Sequence, residues 1–501
     1  MYIFYFLCLD VLMQCLGRSK KVKGGDPFTR LPDEVITSHI LSRFTLEEGA
    51  RYCILSRRWK KLWASTIGSK LTFAPELLRI DQRLKMDARG KRFDFSFLGL
   101  GKRFDFSRFS QAISRLRPME TVNSRIKRLR PSFERWISNV LQSYSMPELD
   151  ELSVRFPFDS SNGDSIDTWV ECALKKGITR LELDLFSWGE LDVFWWREEP
   201  TPQYTFPKLE KLQGMLPNCV GLNLRDVRLK YVPVSADVIE FMVAHFPIER
   251  LSIERSPIHR LNIGGESVKL KCLELIKSAK YLRISASSLT SLKFSGRERR
   301  LLLEHVPRLS ELSVDTEFCT TFLPSGLQHG GYISGLKRLE LAMSEEVVSS
   351  SINYPLEFAA TLNLEELQVE ICGREDSCLL WPVVLLKAAP FLRKFSVKLS
   401  MSCIPEWKIS GGLRNESTIQ RLSRQTLVRN AAKQVLYHEY LKTVEVHNFI
   451  KEPNQSELVQ HLLPILSLEQ IVISLHSASP RKAEVIATWL PPTSIAKLII
   501  L

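Results

Sequence analysis

Charged side chains that alternate with leucine, isoleucine or valine are the residues of this 501-residue chain best suited to a chemical task. In an extended strand, successive side chains point to opposite faces, so the charged residues of such a stretch share one face. A face of mixed charge can bind a polypeptide selectively through complementary potential, although it can also be a merely solvated surface. The candidate target-binding residues are Arg180, Glu182, Asp184, Arg225, Arg338, Glu340, Glu366 and Glu370.

Motifs of the common catalytic and cofactor sites are absent from the sequence. There is no P-loop, no GxSxG elbow, no HExxH pair and no C-x-x-C pair, and Gly99-Leu100-Gly101 lacks the third glycine of a dinucleotide loop. The ten cysteines and nine histidines lie at no metal-ligand spacing, which fits a reduced compartment with cysteines as small buried groups. We therefore predict a binding protein with no catalytic residue, no metal and no cofactor.

The element that must position the charged residues is a short strand that recurs along the chain. Its pattern is an apolar residue, two others, an apolar residue and then strict alternation, as in residues 178–185. Most neighbouring copies lie 20 to 29 residues apart, which is the period of a leucine-rich repeat. The copies occupy residues 149–154, 178–185, 222–224, 248–253, 270–275, 289–294, 309–314, 336–341, 364–369 and 392–397.

No single copy can bury its apolar face, so the copies must stack. The pattern predicts an α/β solenoid with one curved parallel sheet and with helices or extended segments on its convex side. Extra copies at residues 261–263 and 282–284 leave the register uncertain between residues 248 and 312. An insertion at residues 186–206 carries Trp188, Trp195, Trp196 and Tyr204, which predict either a binding anchor or a cap on the edge of the sheet.

A second patterned stretch, residues 26–63, precedes the repeats. Pro32 suits a first helical position, and apolar residues then recur at helical spacing as Ile36 and Ile40 and again as Leu55, Trp59 and Leu62. The pattern predicts two or three short amphipathic helices. A unit of about 40 residues cannot bury this much apolar surface alone, so part of it is expected to remain for a partner.

This stretch resembles an F-box of the plant type along its whole length. The resemblance is carried by Leu31-Pro32-Asp33-Glu34-Val35, Ile40-Leu41-Ser42, Leu55-Ser56-Arg57-Arg58-Trp59 and Leu62-Trp63. It implies a substrate receptor that docks onto a Skp-type adaptor of a cullin-based (SCF) ubiquitin ligase and presents an unknown target protein. The alternative is a helical hairpin that packs onto its own chain. The predicted adaptor-binding residues are Leu31, Pro32, Ile36, Ile40, Leu41, Leu55, Trp59 and Leu62.

The end of the chain has a strand, a turn, a helix and another strand. Residues 441–449 and 468–473 alternate as strands, and residues 456–466 predict a helix with Ser456 as N-cap and Leu458, Leu462 and Leu463 buried. The unit resembles the FBD region that follows the repeats in plant F-box proteins. The predicted organisation is a tail at 1–25, an F-box at 26–66, a basic linker at 67–130, repeats at 131–438 and an FBD-like cap at 439–501.

Charge is concentrated in the predicted linker. Between Arg79 and Arg135 there are sixteen Lys and Arg against six Asp and Glu, out of a net charge of +13. The interpretation we favour is a solvated linker. The alternative is a nuclear interaction protein outside the SCF complex that contacts nucleic acid through this linker, where residues 90–96 recur as 101–107 with interleaved Phe.

The apolar residues 1–16 are too short to span a bilayer and are interrupted by Asp10. We therefore predict a nuclear or cytoplasmic protein without membrane contact.

Overall fold

A computed structural model describes two compact units, Met1–Val234 and Ser235–Leu501. Each is a mixed α/β unit built on parallel strands. The ranges that the structure describes are 31–41, 58–59, 61–62, 69–74, 122–144, 146–185, 204–218, 223–265, 267–295, 300–314, 335–344, 363–372, 378–400, 426, 428–430, 432, 438–450, 453–462, 465, 467–475 and 496–500.

In the described part of the first unit, four parallel strands form its sheet. They are β1 (Lys70–Phe73), β2 (Glu151–Arg155), β3 (Arg180–Asp184) and β4 (Asp226–Lys230), and each pairs with the next in register. Leu71, Leu152, Leu181 and Val227 form one buried row across these strands. One repeat therefore contributes one strand, as the alternating pattern predicts.

Two sequence predictions for this sheet are wrong in detail. Strand β1 lies inside the predicted linker, where four residues were too short a pattern to stand out. Asn223 and Leu224 of the copy predicted at 222–224 are not in a strand, because β4 begins at Asp226, and Leu222 lies outside the described residues. Leu224 is instead the first apolar residue of the unit, followed by Val227 and Leu229 on the buried face.

The described helices of the first unit lie before and between its strands in the chain. After the short α1 (Asp33–Val35) come α2 (Val122–Ser143), α3 (Gly163–Lys175) and α4 (Leu209–Met215). The helices predicted at 133–137 and 166–174 lie within α2 and α3, although α2 begins in the predicted linker. Phe133 of α2 stacks on Phe156 at 4.5 Å, and Trp169 of α3 meets Phe158 at 5.4 Å.

The main sheet of the second unit is built in the same way and has ten parallel strands within the described ranges. They are β5 (Arg250–Glu254), β7 (Cys272–Ile276), β9 (Ser291–Ser295), β11 (Glu311–Val314), β12 (Arg338–Ser344), β13 (Glu366–Cys372), β14 (Lys394–Ser400), β15 (Thr443–Phe449), β16 (Gln470–Leu475) and β17 (Lys497–Ile500). Described helices of this unit are α5 (Ala236–His245), α6 (Trp381–Ala388) and α7 (Pro453–Leu462).

The irregular region between residues 248 and 312 holds a second parallel sheet. Strands β6 (Ile258–Gly264), β8 (Ala279–Ser285) and β10 (Arg300–His305) pair in the order β10-β8-β6. The extra copies seen in the sequence, 261–263 and 282–284, are the cores of β6 and β8. Their alternation is genuine, but it belongs to a second layer of strands. The connections here are extended segments, as the sequence allowed.

Consecutive repeats are also joined just before each strand. One backbone carbonyl accepts hydrogen bonds from two consecutive N–H groups of the next repeat: the Asp150 carbonyl accepts from Thr179 and Arg180 at 3.0 and 2.9 Å. The Arg393 carbonyl accepts from Lys442 and Thr443 at 2.9 and 3.1 Å. These backbone hydrogen bonds join consecutive repeats without requiring a particular side chain.

The C-terminal strand-helix-strand unit is present with shifted helix bounds. Helix α7 begins at Pro453, so Ser456 lies inside it and the N-cap prediction is wrong. The predicted burial of Leu458 and Leu462 is confirmed, while Leu463 lies outside the described residues. Gln455 is fully buried and accepts a hydrogen bond from the Ile450 N–H at 2.8 Å, which fastens the helix to the end of β15.

Strand ends share one backbone conformation. Tyr231, Arg255, Lys277 and Asn448 have positive φ angles between 52° and 62°, and each lies five residues after the first residue of its strand. The left-handed turn there is a repeated structural position.

Within the described ranges, no helix combines the length and the apolar character needed to cross a membrane.

Candidate interaction surfaces

The front segment, defined as residues 31–41, 58–59 and 61–62, packs around one apolar cluster. Leu31, Ile36, Ile40, Leu41 and Trp59 are at most 6% exposed, and Val35 and Leu62 pack against them half-buried. Residues Ile36–Ile40 continue α1 with the wider spacing of a π-helix, which directs Ile36 and Ile40 inward. The cluster joins residues that lie more than 20 positions apart in the sequence.

An ion pair between Arg58 and Asp33 links the two parts of the front segment. Arg58 donates from Nε to Asp33 Oδ1 at 2.8 Å and from Nη2 to the Leu31 carbonyl at 2.5 Å. Asp33 also lies at the positive N-terminal end of its helix. The sequence showed both charges but carried no signal that they meet.

These positions bear directly on the predicted adaptor-binding residues. Pro32 is exposed and Leu62 is half-buried, so both can contact a partner. Leu31, Ile36, Ile40, Leu41 and Trp59 contact one another and present little surface in this conformation. Leu55 lies outside the described residues. Adaptor binding therefore stays a prediction, as does the alternative of a hairpin that packs onto its own chain.

The second candidate surface is the charged face of the main strands, meaning the face opposite the leucine rows. In the first unit its charges pair across neighbouring strands. Arg155 contacts Glu182 at 3.0 Å, Arg180 Nε lies 3.6 Å from Glu151 and 3.7 Å from Asp226, and Lys230 lies 3.9 Å from Asp184. The predicted target-binding residues Arg180, Glu182 and Asp184 thus have charged neighbours within their own sheet.

Glu182 is, after Asp226, the most enclosed of these carboxylates. Burial raises its pKa, but the hydrogen bonds from Arg155 and Ser153 outweigh that effect and leave the pKa of Glu182 below its ordinary value. Glu182 is therefore ionised at neutral pH and held by two neighbours.

Arg225 does not belong to the charged face. It is exposed, but it lies one residue before β4, where its N–H donates to the Thr179 carbonyl at 2.8 Å. The positions of this repeat on the charged face are Asp226, Arg228 and Lys230. The sequence prediction missed them because it placed the strand at 222–224. Reading Leu224, Val227 and Leu229 as the apolar positions of the repeat would have found them.

In the second unit the remaining predicted residues also pair across strands. Arg338 contacts Glu366 at 2.8 Å and Glu311 at 3.5 Å, and Glu370 contacts Lys398 at 3.1 Å. Glu340 accepts a hydrogen bond from Gln368 at 3.2 Å. Glu445 is a further carboxylate of this face that the prediction missed, and Lys394 Nζ lies 2.8 Å from it.

Surface ion pairs of this kind contribute only about 0–1 kcal/mol each, but they compensate the charges that a ligand would have to use. Target binding by the eight predicted residues stays a prediction. It would require a ligand to replace these cross-strand contacts.

The aromatic insertion is only partly within the described ranges. Tyr204 is 3% exposed and donates a hydrogen bond to Asp167 Oδ1 at 2.6 Å. Burial, with the Asp167 contact, raises the pKa of Tyr204. Tyr204 is therefore a packing residue and not an exposed anchor, while Trp188, Trp195 and Trp196 lie outside the described residues. Among the residues described, no three His, Cys, Asp or Glu side chains are grouped to hold a metal ion.

Comparison with known proteins adds a family match. Residues 214–490, more than half of the chain, match the family model described as the LRR domain of At1g61320/AtMIF1.

Two Arabidopsis thaliana proteins, each named "Putative F-box/LRR-repeat protein", are similar to parts of the chain. At3g59170 is 27% identical over 190 residues, which is 36% of this chain and 32% of that protein. At3g59160 is 26% identical over 227 residues, 42% of each protein. The matches thus span less than half of the length of these relatives.

Proposed function

The chain belongs to the At1g61320/AtMIF1 leucine-rich-repeat domain family, and on that premise we propose that it is the substrate-recognition subunit of an SCF-type ubiquitin ligase. The observation that carries the proposal is the order of its parts: an F-box-like front segment followed by stacked repeats. The names of the two Arabidopsis relatives support the same order of parts. In this function the front segment binds a Skp-type adaptor, and the repeats bind a target protein.

The front segment supports adaptor binding by dividing its residues into two groups. The buried cluster of Leu31, Ile36, Ile40, Leu41 and Trp59 fixes the shape of the segment. Pro32 and Leu62, which remain accessible, provide apolar contacts to the adaptor. The Asp33–Arg58 pair holds the two parts of the segment together and so keeps Pro32 and Leu62 in one arrangement.

The remaining architecture is proposed on the same basis. The repeats form a curved solenoid whose strands present the charged face to the target, and the strand-helix-strand unit at residues 443–475 corresponds to an FBD-like region. Transfer of ubiquitin is assigned to other subunits of the ligase. We place the protein in the nucleus, the cytoplasm or both.

Co-purification with a Skp-type adaptor tests the docking step. The Pro32→Ala, Leu62→Ala double variant should bind the adaptor at least about 30-fold more weakly, because truncating the few residues that dominate an interface costs about 2 kcal/mol or more. His259→Ala with Lys280→Ala, two exposed side chains of the second sheet, is the control and should bind normally. Unchanged adaptor binding by the Pro32, Leu62 variant would refute this docking surface.

The recognition step is tested separately by proximity labelling in cells with and without proteasome inhibition. A target of the ligase should be labelled more strongly when the proteasome is inhibited, since its degradation then stops. The Pro32, Leu62 variant should lose this dependence while it still labels the target. No labelled protein that responds to inhibition would argue against a receptor function.

A further inference from the structure

Phe391 and Tyr440 are two exposed aromatic side chains that lie side by side in the second unit. They are 49% and 42% exposed, and their ring centroids are 5.9 Å apart at an interplanar angle of 42°. Each occupies the position just before the first buried leucine of its repeat, Leu392 and Leu441 respectively. The rings therefore lie next to the starts of β14 and β15.

Other described repeats do not carry aromatic residues at this position. The equivalent residues are Glu148, Gly177, Asn223, Pro247, Lys269, Ser288, Arg308, Gly335, Asn363 and Ser467. Packing within the repeat thus does not require an aromatic ring there. The exposed pair is a local feature of two adjacent repeats.

His438 fixes the arrangement of the two loops that carry these rings. Its buried imidazole accepts a hydrogen bond from the Leu441 N–H at Nδ1, at 3.2 Å, and Nε2 therefore donates to the Ala389 carbonyl, at 2.9 Å. One side chain is thus bonded to both loops, beside Phe391 and beside Tyr440. Because these loops are already joined, little further ordering is needed to present the two rings to a ligand.

Arg393 adds a positive charge to this surface. It is exposed and lies two residues after Phe391, immediately before β14. At the same position of other repeats, charged residues are paired: Lys271 with Glu249 at 2.9 Å, Lys337 with Glu365 at 3.3 Å and Lys442 with Glu469 at 2.6 Å. The Arg393 side chain has no hydrogen-bond or ion-pair partner within the described part of the chain.

We propose that Phe391, Tyr440 and Arg393 form a docking site for a polypeptide segment that carries an apolar side chain next to a carboxylate. The apolar side chain packs on the two rings, and the carboxylate pairs with the Arg393 guanidinium, which accepts carboxylates in a bidentate geometry. Aromatic residues and arginine are the types that most often dominate binding energy at protein interfaces.

The site has a polarity that limits the ligand. Glu439 is exposed beside Tyr440 and repels a carboxylate at that end, so the acidic residue of the ligand lies on the Arg393 side. The inference extends the proposed function by naming the surface and the chemistry of target recognition. It rests on the proposed function in one respect: the bound segment is taken to belong to the target protein.

Selection of a phage-displayed library of random dodecapeptides on the full-length chain tests the site. We expect enrichment of peptides that combine an acidic residue with a neighbouring Leu, Ile, Phe or Pro. The selected peptides, labelled with fluorescein, should bind the Phe391→Ser, Tyr440→Ser variant at least about tenfold more weakly. Arg393→Glu should abolish acidic selection and favour peptides with Lys or Arg, because the sign of the local charge is reversed.

Matched controls separate this site from general surface effects. Met146→Ser removes an exposed apolar side chain elsewhere, and Arg308→Glu reverses an exposed arginine in another repeat; both should leave binding and the selected sequences unchanged. Far-UV circular dichroism confirms that each variant is folded.

Two results would overturn the proposal: no enrichment of acidic-apolar peptides on the native chain, or equal peptide binding by the aromatic variant. Adaptor co-purification, which depends on the front segment, should be unaffected by Phe391→Ser and Tyr440→Ser. A failure of the docking site is thereby distinguished from a failure of the proposed function.

Discussion

The front segment and the Phe391–Tyr440 surface distribute apolar side chains in opposite ways. In the front segment several residues that carry the family resemblance, such as Ile40 and Trp59, are buried in a cluster of their own. At the starts of β14 and β15 the aromatic residues are about half exposed, although no recognisable motif marks them. A sequence motif therefore identifies residues that specify a local structure, whereas residues available for contact are identified by their exposure.

The largest expected effect is the difference in stability between a substitution in the buried cluster of the front segment and one at the exposed aromatic pair. Trp59→Ala should lower the free energy of unfolding of the front segment by about 3–5 kcal/mol, since it leaves a cavity in the cluster. Tyr440→Ala, which removes an exposed ring, should cost less than about 1 kcal/mol. Urea unfolding of the two variants, followed by circular dichroism, measures both. Equal losses would show that the two regions do not differ in this way.

The next effect concerns the residue that organises the exposed pair. His438→Ala leaves the Leu441 N–H and the Ala389 carbonyl without their partner, which should cost about 1–3 kcal/mol in unfolding free energy. His259→Ala, at an exposed histidine of the second sheet, is the control and should change little. If both substitutions have the same small effect in urea unfolding, His438 does not hold the two loops.

The same residue predicts a pH dependence. Burial lowers the pKa of His438 below 6.5, and the hydrogen bond to Ala389 only partly opposes this. The unfolded chain then binds the proton more readily, so stability should decrease as the pH falls from about 6.5 towards the lower pKa of the folded state. Thermal unfolding between pH 7.5 and pH 5 should show this decrease, and His438→Gln should reduce it. An unchanged slope in the variant would assign the dependence to other groups.

A smaller effect is expected at Asn448, near the end of β15. Asn448 has a φ of 62°, a conformation that asparagine tolerates and alanine disfavours. Asn448→Ala should therefore cost about 1 kcal/mol, while Asn448→Gly should be neutral or slightly stabilising. Thermal unfolding distinguishes them, and equal costs would point to a role of the asparagine side chain.

The smallest effect concerns the charged face. Arg338, Glu311 and Glu366 are each more than one third exposed, so solvent screens their pairing. Arg338→Ala should cost about 0–1 kcal/mol, and a double-mutant cycle with Glu366→Ala should give a coupling energy in the same range. A coupling energy well above this would mean that the face is a rigid network and not a set of weak pairs.

Much of the repeat architecture could be predicted because burial and alternation leave a direct trace in a strand. Leu152, Leu181, Leu273, Leu367 and Val397 all lie on the buried face, as their spacing indicated. The pattern did not predict the correct strand where two assignments of the apolar residues were equally consistent with the sequence. Residues 222–229 fit two overlapping registers, and residues 261–263 and 282–284 show the alternation of a main strand although they belong to a second sheet.

The candidate sites were less predictable, because side-chain type does not report exposure. Leu31 and Pro32 are neighbours of the same motif, yet one is buried and the other exposed. Likewise, Arg338 is the first residue of β12 and Arg393 immediately precedes β14, but only Arg338 has carboxylate partners in the described ranges. Which charges meet depends on the register between strands.

The leucine-rich strands could be predicted from residue types alone, together with a preceding segment that resembles an F-box, because the periods of apolar residues follow from the geometry of strands and helices. Tertiary contacts alone show which charges compensate one another, which apolar residues of the front segment are buried, and that the rings of Phe391 and Tyr440 lie side by side. These outcomes depend on contacts between residues far apart in the chain, and no local pattern of residue types records them.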